Sequence, residues 1–207
     1  MTSGLRERKK QQTREAIHHA AMKLFAERGF EATTIADIAA AADIAPRTFF
    51  SYFATKEEAV FAKFESLYAD FDRMLRERPQ GVSALEALRQ WISVAAKEYA
   101  GDFDYAKLEL RLRRESPAVA ACDLQHTRQF ERRLAEAVGE DFGEPANALR
   151  PRLVAAAAVA ALQASSAAAD EIVDTDPEAA RALLADPAAF IDDAMRFLEA
   201  GLAALRS

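Results

Sequence analysis

Three basic side chains, Lys9, Lys10 and Arg14, stand at the start of what reads as the first helix of a 207-residue chain. That is the unfavourable end of the helix macrodipole for a cation. Cations placed there point to an external anion, or to a first turn that frays in water. Further on, cationic and hydroxyl side chains recur at short spacing, as Thr33 and Thr34 and then Arg47, Thr48 and Ser51. Side chains of this kind hold phosphate oxygens, and an arginine can also read a guanine edge. The charge distribution agrees. The chain carries −6, yet residues 1–56 hold 9 Lys and Arg against 6 Asp and Glu, and the remainder holds 18 against 27. A basic front on an acidic body fits one end that meets phosphate; a solvated basic tail has the same numbers.

Catalytic and metal-binding chemistry is not spelled out. The chain has no G-x-S-x-G, no P-loop and no H-E-x-x-H, the spacings that carry nucleophile, phosphate and zinc chemistry. His18 and His19 are adjacent, about 100° apart around a helix, and cannot share a ligand. Cys122 and His126 lie at i and i+4, but no further ligand cluster accompanies them. A single cysteine excludes an intrachain disulfide and any zinc site with two thiolates. The expectation is a protein that is not an enzyme and holds no cofactor and no metal, although acid–base pairs can still be assembled in three dimensions. No segment reads as a signal peptide or a membrane span, so the expected place is the cytoplasm.

The elements that would position these residues are helices. Roughly a quarter of the chain is alanine, and only 7 Gly and 7 Pro occur. Alanine is the best helix former, and so few turn residues leave little material for a protein of many strands. Residues 5–28 form one helix, with Ile17, Ala20, Ala21, Leu24 and Phe25 on a single stripe and Gly29 as its stop. Thr34 caps a short helix with Asp37 in the capping-box position. Asp43 suits a left-handed turn, Pro46 opens a second short helix over 47–53, and the pair makes a helix-turn-helix. Thr55 caps a long helix to about residue 78, bearing Phe61, Phe64, Tyr68, Phe71 and Leu75. Further helices are expected over about 85–99, 105–115, 117–138 and 148–173. A polar connector covers 174–186, and a last helix starts at Pro187. The expectation is an all-α chain of about nine helices.

The stretches GFEATTIADIA (29–39) and TFFSYFATKEE (48–58), with Ala20, Ala21, Leu24 and Phe25 before them, resemble the TetR family of transcriptional regulators. The likeness covers about residues 10–60, with many positions agreeing at fixed spacing and no gap. It implies an N-terminal three-helix helix-turn-helix domain over 1–54 and a larger helical domain over 55–207 that binds ligand and dimerises. It implies a homodimer, joined through the last two helices, that binds double-stranded DNA at a palindromic operator. The chain departs from the family at Asp43, where glycine is usual, at Ala45, where a capping Ser or Thr is usual, and at Phe50, where Tyr often stands. Tyr52 and Lys56 match family positions that grip phosphates. The expected DNA-binding set is Lys10, Arg14, Thr33, Thr34, Arg47, Thr48, Ser51, Tyr52 and Lys56. Arg47 is expected at a guanine edge or a phosphate, Phe49 at a thymine methyl or in the core, and Thr34 as a cap, a phosphate contact or both.

The larger domain is implied to receive a small hydrophobic or amphipathic effector that releases the operator. Phe64, Tyr68, Trp91, Tyr99, Leu108, Leu112, His126 and Phe130 are its candidate lining, each with plain core as the alternative. Arginines 111, 113, 114, 128, 132 and 133 serve an anionic ligand or stand solvated and salt-bridged. The alanine run 155–169 suits close helix approach, between subunits or within one. Segments 4–10 (GLRERKK) and 110–119 (LRLRRESPAV) look similar to a subgroup containing mycofactocin-type regulators, some of which respond to acyl-CoA thioesters. Two rival functions are a ligand-independent architectural or activating DNA-binding protein and a helical-bundle enzyme.

Overall fold

The structure, a computed structural model, describes residues 2–100, 103–176, 178–179 and 187–206. These residues form helices without a strand, and the expected all-α class holds. Ten helices are described: α1 Thr2–Arg28, α2 Ile35–Ala41, α3 Pro46–Phe49, α4 Lys56–Val60, α5 Ala62–Glu77, α6 Ala84–Ala100, α7 Phe103–Glu115, α8 Pro117–Phe142, α9 Leu149–Thr175 and α10 Pro187–Arg206. Most of the expected connector after residue 176 lies outside the described residues.

Two compact units emerge, one of residues 1–66 with 104–124 and the other of residues 67–103 with 125–207. This grouping differs from a boundary after residue 54. The reason is burial: Ala59, Val60 and Phe61 of the α4 region and Leu108 and Leu112 of α7 share the core of Ile17, Phe25 and Phe49.

In the first unit, α1 packs on α2 and α4, and α2 packs on α3. The stripe expected on α1 is the one that is buried, with Ile17, Ala21 and Phe25 fully enclosed. Burying each large apolar side chain of this kind stabilises the fold by about 1.5–3 kcal/mol. Gly29 follows α1 with φ 84° and donates its N–H to the Phe25 carbonyl at 3.1 Å, the left-handed stop that glycine adopts without a Cβ penalty. Thr34 and Asp37 complete the capping box: the Asp37 N–H donates to Thr34 Oγ1 at 3.2 Å, and the Thr34 N–H donates to Asp37 Oδ2 at 2.9 Å. The Thr34 hydroxyl also donates to Asp37 Oδ2, and this bond together with that from the Thr34 N–H holds the Asp37 carboxyl below its ordinary range.

Two elements depart from expectation. The second short helix covers four residues rather than seven. Phe53 and Tyr52 then donate to the Phe49 carbonyl at 3.0 and 2.9 Å in a turn. The long helix from Thr55 breaks at Phe61, whose N–H donates to the Glu58 carbonyl at 3.1 Å, before α5 resumes. Its ring stays in the core, 1% exposed.

In the second unit, α10 packs on α9 and on α6. Ala155 and Ala158 of α9 are fully buried, so the alanine run serves close packing inside one subunit on that face, while Leu153, Ala156 and Ala160 remain exposed. Arg78 organises the corner after α5. It donates to the carbonyls of Leu75 at 2.8 Å and Ala137 at 3.0 Å and to Asp141 Oδ1 at 3.0 Å. The other Asp141 oxygen accepts from the Ala84 N–H at 2.7 Å, capping α6. Helix α8 runs through Gly139, where a loop was expected. A Cβ there would meet the Glu144 carbonyl oxygen at 2.7 Å, so the chain beyond α8 folds back tightly on a residue without a side chain.

Candidate nucleic-acid interface

The first unit presents the α2–turn–α3 segment on a closed core. Asp43 holds the turn at φ 54°, the only non-glycine residue with positive φ among those described, a conformation Asp tolerates better than most residues. Ala45 precedes α3 in extended backbone without a side-chain cap, and Pro46 supplies the first helical position. Behind α3, Phe49 is fully buried against Phe53, with ring centroids 5.7 Å apart. Of the two places open to Phe49, it therefore occupies the core and not a base contact.

The nine expected DNA-binding residues separate into free and engaged side chains. Lys10, Arg47 and Ser51 are exposed, and Thr48 is half-buried. Because α1 begins at Thr2, Lys9 and Lys10 stand a further turn into the helix than the sequence suggested, where the macrodipole acts on them less.

Arg14 is engaged inside the unit. It pairs with Glu65, donates to the Tyr52 carbonyl at 2.8 Å and lies 4.2 Å from the centre of the Phe53 ring. Burial pushes its pKa down, against the attraction of Glu58. Arg14 thus has a tertiary role within the unit. Tyr52, whose carbonyl takes that bond, is half-buried against the core.

Lys56 donates from Nζ to the carbonyls of Phe30 at 2.8 Å and Thr33 at 3.3 Å, over the Phe30 ring. It pins the turn before α2, with one of its three N–H donors beyond those bonds. Thr33 is buried and donates to the Gly29 carbonyl at 2.8 Å, so it shapes the same turn from within. Thr34 is the cap and is exposed.

His18 and His19 do not share a ligand but do share a neighbour, because both rings lie against Tyr105, with centroids 5.8 and 5.5 Å away. His19 Nδ1 and the Tyr105 hydroxyl are 3.0 Å apart, which ties α7 to α1.

The described side chains of the expected ligand lining are distributed over both cores. Phe64, Leu108 and Leu112 belong with the first core. Tyr68, Trp91 and Phe130 meet in the second unit around Phe71. There the Phe71 and Phe130 rings stack at 4.8 Å and 22°, and Trp91 closes on both at 4.9 and 5.5 Å. The Trp91 Nε1–H donates to the Leu67 carbonyl at 2.8 Å, and the Tyr68 hydroxyl to the Gln129 carbonyl at 3.2 Å. These aromatics fill one another's space. Burial raises the Tyr68 pKa. His126 is half-buried on α8, and the side chain of Tyr99 lies outside those described.

A cleft of about 390 Å³ does open in the second unit, floored by Leu67, Met74, Trp91 and Val94 and edged by Asp70 and Glu77. Three of the candidate arginines are ion-paired: Arg113 with Glu109, Arg132 with Glu136, and Arg133 with Asp72 and Glu136. Burial pushes the Cys122 thiol up to about 11. Among the described residues no cluster of His, Cys, Asp and Glu could hold a metal ion, and no helix is long and apolar enough to cross a membrane.

Residues 17–62 match the tetR family of bacterial regulatory proteins, and residues 82–203 match the MftR C-terminal domain. HTH-type transcriptional regulator TcmR of Streptomyces glaucescens is 32% identical over 164 residues, 74% of this chain and 71% of TcmR. The chain belongs to the TetR family of transcriptional regulators. As a TetR-family regulator it carries the DNA-binding helix-turn-helix in its first unit and an MftR-type C-terminal domain. Thermus thermophilus FadR, a TetR-family repressor solved with lauroyl-CoA, superposes with a TM-score of 0.56 at 25% identity, over 89% of this chain and 92% of FadR. SmeT in complex with triclosan superposes at 0.61 and 22% identity, over 89% and 90%, and shows the shared fold.

Proposed function

We propose that this TetR-family regulator is a homodimeric repressor that leaves a palindromic operator when a small hydrophobic or amphipathic ligand binds. The observation that carries the reading is the α2–turn–α3 segment, which rests on a fully packed core and leaves Arg47 and Ser51 in solvent. A short helix in the major groove presents only a few side chains to base edges. Lys10, Thr34, Arg47, Thr48 and Ser51 are the DNA contacts. Lys56 adds its remaining N–H, and Arg14, Thr33 and Tyr52 hold the surface in shape. Two such surfaces, one per subunit, would read half-sites about 34–36 Å apart.

Dimerisation runs through α9 and α10. In support, Leu149 and Leu153 on α9 and Phe197 on α10 are 79%, 51% and 69% exposed in the single chain. The effector enters the second unit. The MftR-type domain, the lauroyl-CoA bound to FadR and the apolar cleft beside Trp91 support that reading. Like the rest of its family the protein regulates rather than catalyses, and its place is the cytoplasm. The tight packing of Phe71, Trp91 and Phe130 favours one rival, a DNA-binding protein without an effector.

The test is a mobility shift on the DNA flanking the protein's own gene, over a salt series and then with lauroyl-CoA as the first probe. The expected result is a discrete complex at a pseudo-palindrome that weakens by roughly a thousandfold between 50 and 200 mM salt for about six phosphate contacts. Release of that complex by lauroyl-CoA or another amphiphile supports the effector. Failure of genome-wide selection to recover any preferred DNA for the ligand-free dimer overturns the reading.

A further inference from the structure

Phe50 is the exception in the first unit. Phe25, Phe30, Phe49, Phe53 and Phe61 are each 6% exposed or less, whereas Phe50 is 57% exposed. It caps α3 with helical backbone, φ −68° and ψ −8°. Its ring stands edge-on against the buried Phe49 ring at 5.7 Å and 83°. Phe49 and Phe53 already fill the space beneath, so Phe50 has no inward position to take.

Arg47 lies three residues before Phe50, and side chains at i and i+3 share a helix face. Ser51, the next residue, is exposed as well. The outer surface of this segment therefore presents a guanidinium, a phenyl ring and a hydroxyl together. A phenyl ring has no hydrogen bond to give a phosphate. What it can meet in a major groove is an apolar group, and the apolar group that base edges display there is the thymine 5-methyl.

Resting on the reading of this segment as the base-contacting one, we infer that Phe50 is a specificity-determining residue that reads a thymine methyl group. Three helical residues span about 4.5 Å along the axis, and successive bases of one strand rise about 3.4 Å. A thymine one to two base steps from the position that Arg47 faces is therefore within the span of this face. The departure from Tyr at this position exchanges a hydroxyl contact for an apolar one.

The test uses the full-length protein and the operator recovered by selection. Each thymine is replaced singly by deoxyuridine, which removes only the methyl group, and competition binding is measured for the wild type, Phe50→Ala, Phe50→Ser and Thr48→Ala. The expected result is one thymine per half-site at which deoxyuridine weakens the wild type by about three- to tenfold, the scale of one buried methyl. Both Phe50 variants should bind thymine and deoxyuridine operators equally, with the wild-type salt slope, because no phosphate contact is lost. Thermal melting confirms that they fold.

A wild type indifferent to every deoxyuridine overturns the inference. So does a penalty that persists in both Phe50 variants, and one that disappears only in Thr48→Ala assigns the methyl to Thr48. In each of these cases site-specific binding remains intact, so the reading of the segment stands while the role of Phe50 fails. If selection recovers no preferred DNA, the underlying reading fails and the inference with it.

Discussion

At the scale of single residues, the same side chain can be a ligand for DNA or for its own backbone, and geometry decides. Arg14 and Lys56 both carry the charge that phosphate binding needs. Both are taken up by carbonyls and rings of the first unit. Glu109 is a sharper case. It is 6% exposed on α7 and paired with Arg113, which also lies 3.7 Å from Asp123. Burial raises its pKa, and the attraction of Arg113 and Lys63 works the other way.

Replacing Arg113 with Met leaves a buried carboxylate without its main partner, a loss of about 3 kcal/mol. Because the folded carboxyl titrates above its ordinary 4.5, protonation relieves the penalty. The loss is therefore largest at high pH, shrinks as pH falls through the raised folded pKa, and is gone once the folded carboxyl is protonated in both proteins. Urea denaturation of Arg113→Met and wild type at pH 8 and pH 5 checks this. Arg113 also lies over the Phe61 ring, 5.7 Å from its centre, and an equal loss at both values would mean that this packing, and not the charge, is what counts.

At the scale of elements, local signals read well where neighbours in sequence make the contacts. Gly29, the Thr34–Asp37 box, Asp43 and Pro46 each act within a few residues, and each stands as its type suggests. Gly139 shows the opposite. As a helix breaker it suggested a loop, yet α8 passes through it, because the chain returns and places the Glu144 carbonyl where a side chain would be. Helix propensity alone makes Gly139→Ala stabilising by about 0.5–1 kcal/mol. The backbone approach reverses the sign, with an expected loss of about 1–3 kcal/mol. A thermal melt of the single variant decides, and a raised melting temperature would show that the 144–146 turn yields easily.

At the scale of the whole molecule, the basic front of residues 1–56 lies in the first unit, while Leu149, Leu153 and Phe197 expose apolar surface in the second. Phe197 on α10 is 69% exposed. On the proposed dimer through α9 and α10, replacing it with Glu is expected to shift the protein from dimer to monomer in sedimentation at micromolar concentration and to weaken operator binding, since each subunit would read one half-site. A dimer that persists in Phe197→Glu would place the interface elsewhere.

The sequence by itself determined the all-α class, the helix-turn-helix and the family. Those rest on periodicity, caps and a gapless motif, all of which act over a few residues. Tertiary structure decided what needed distant partners. It drew residues 104–124 into the first unit, divided the aromatic candidates between two cores, and left Arg47, Phe50 and Ser51 free while Arg14 and Thr33 were taken up. The physical reason is that a side chain's type sets which bonds it can make, whereas the carbonyls and rings that compete for it come from residues far along the chain.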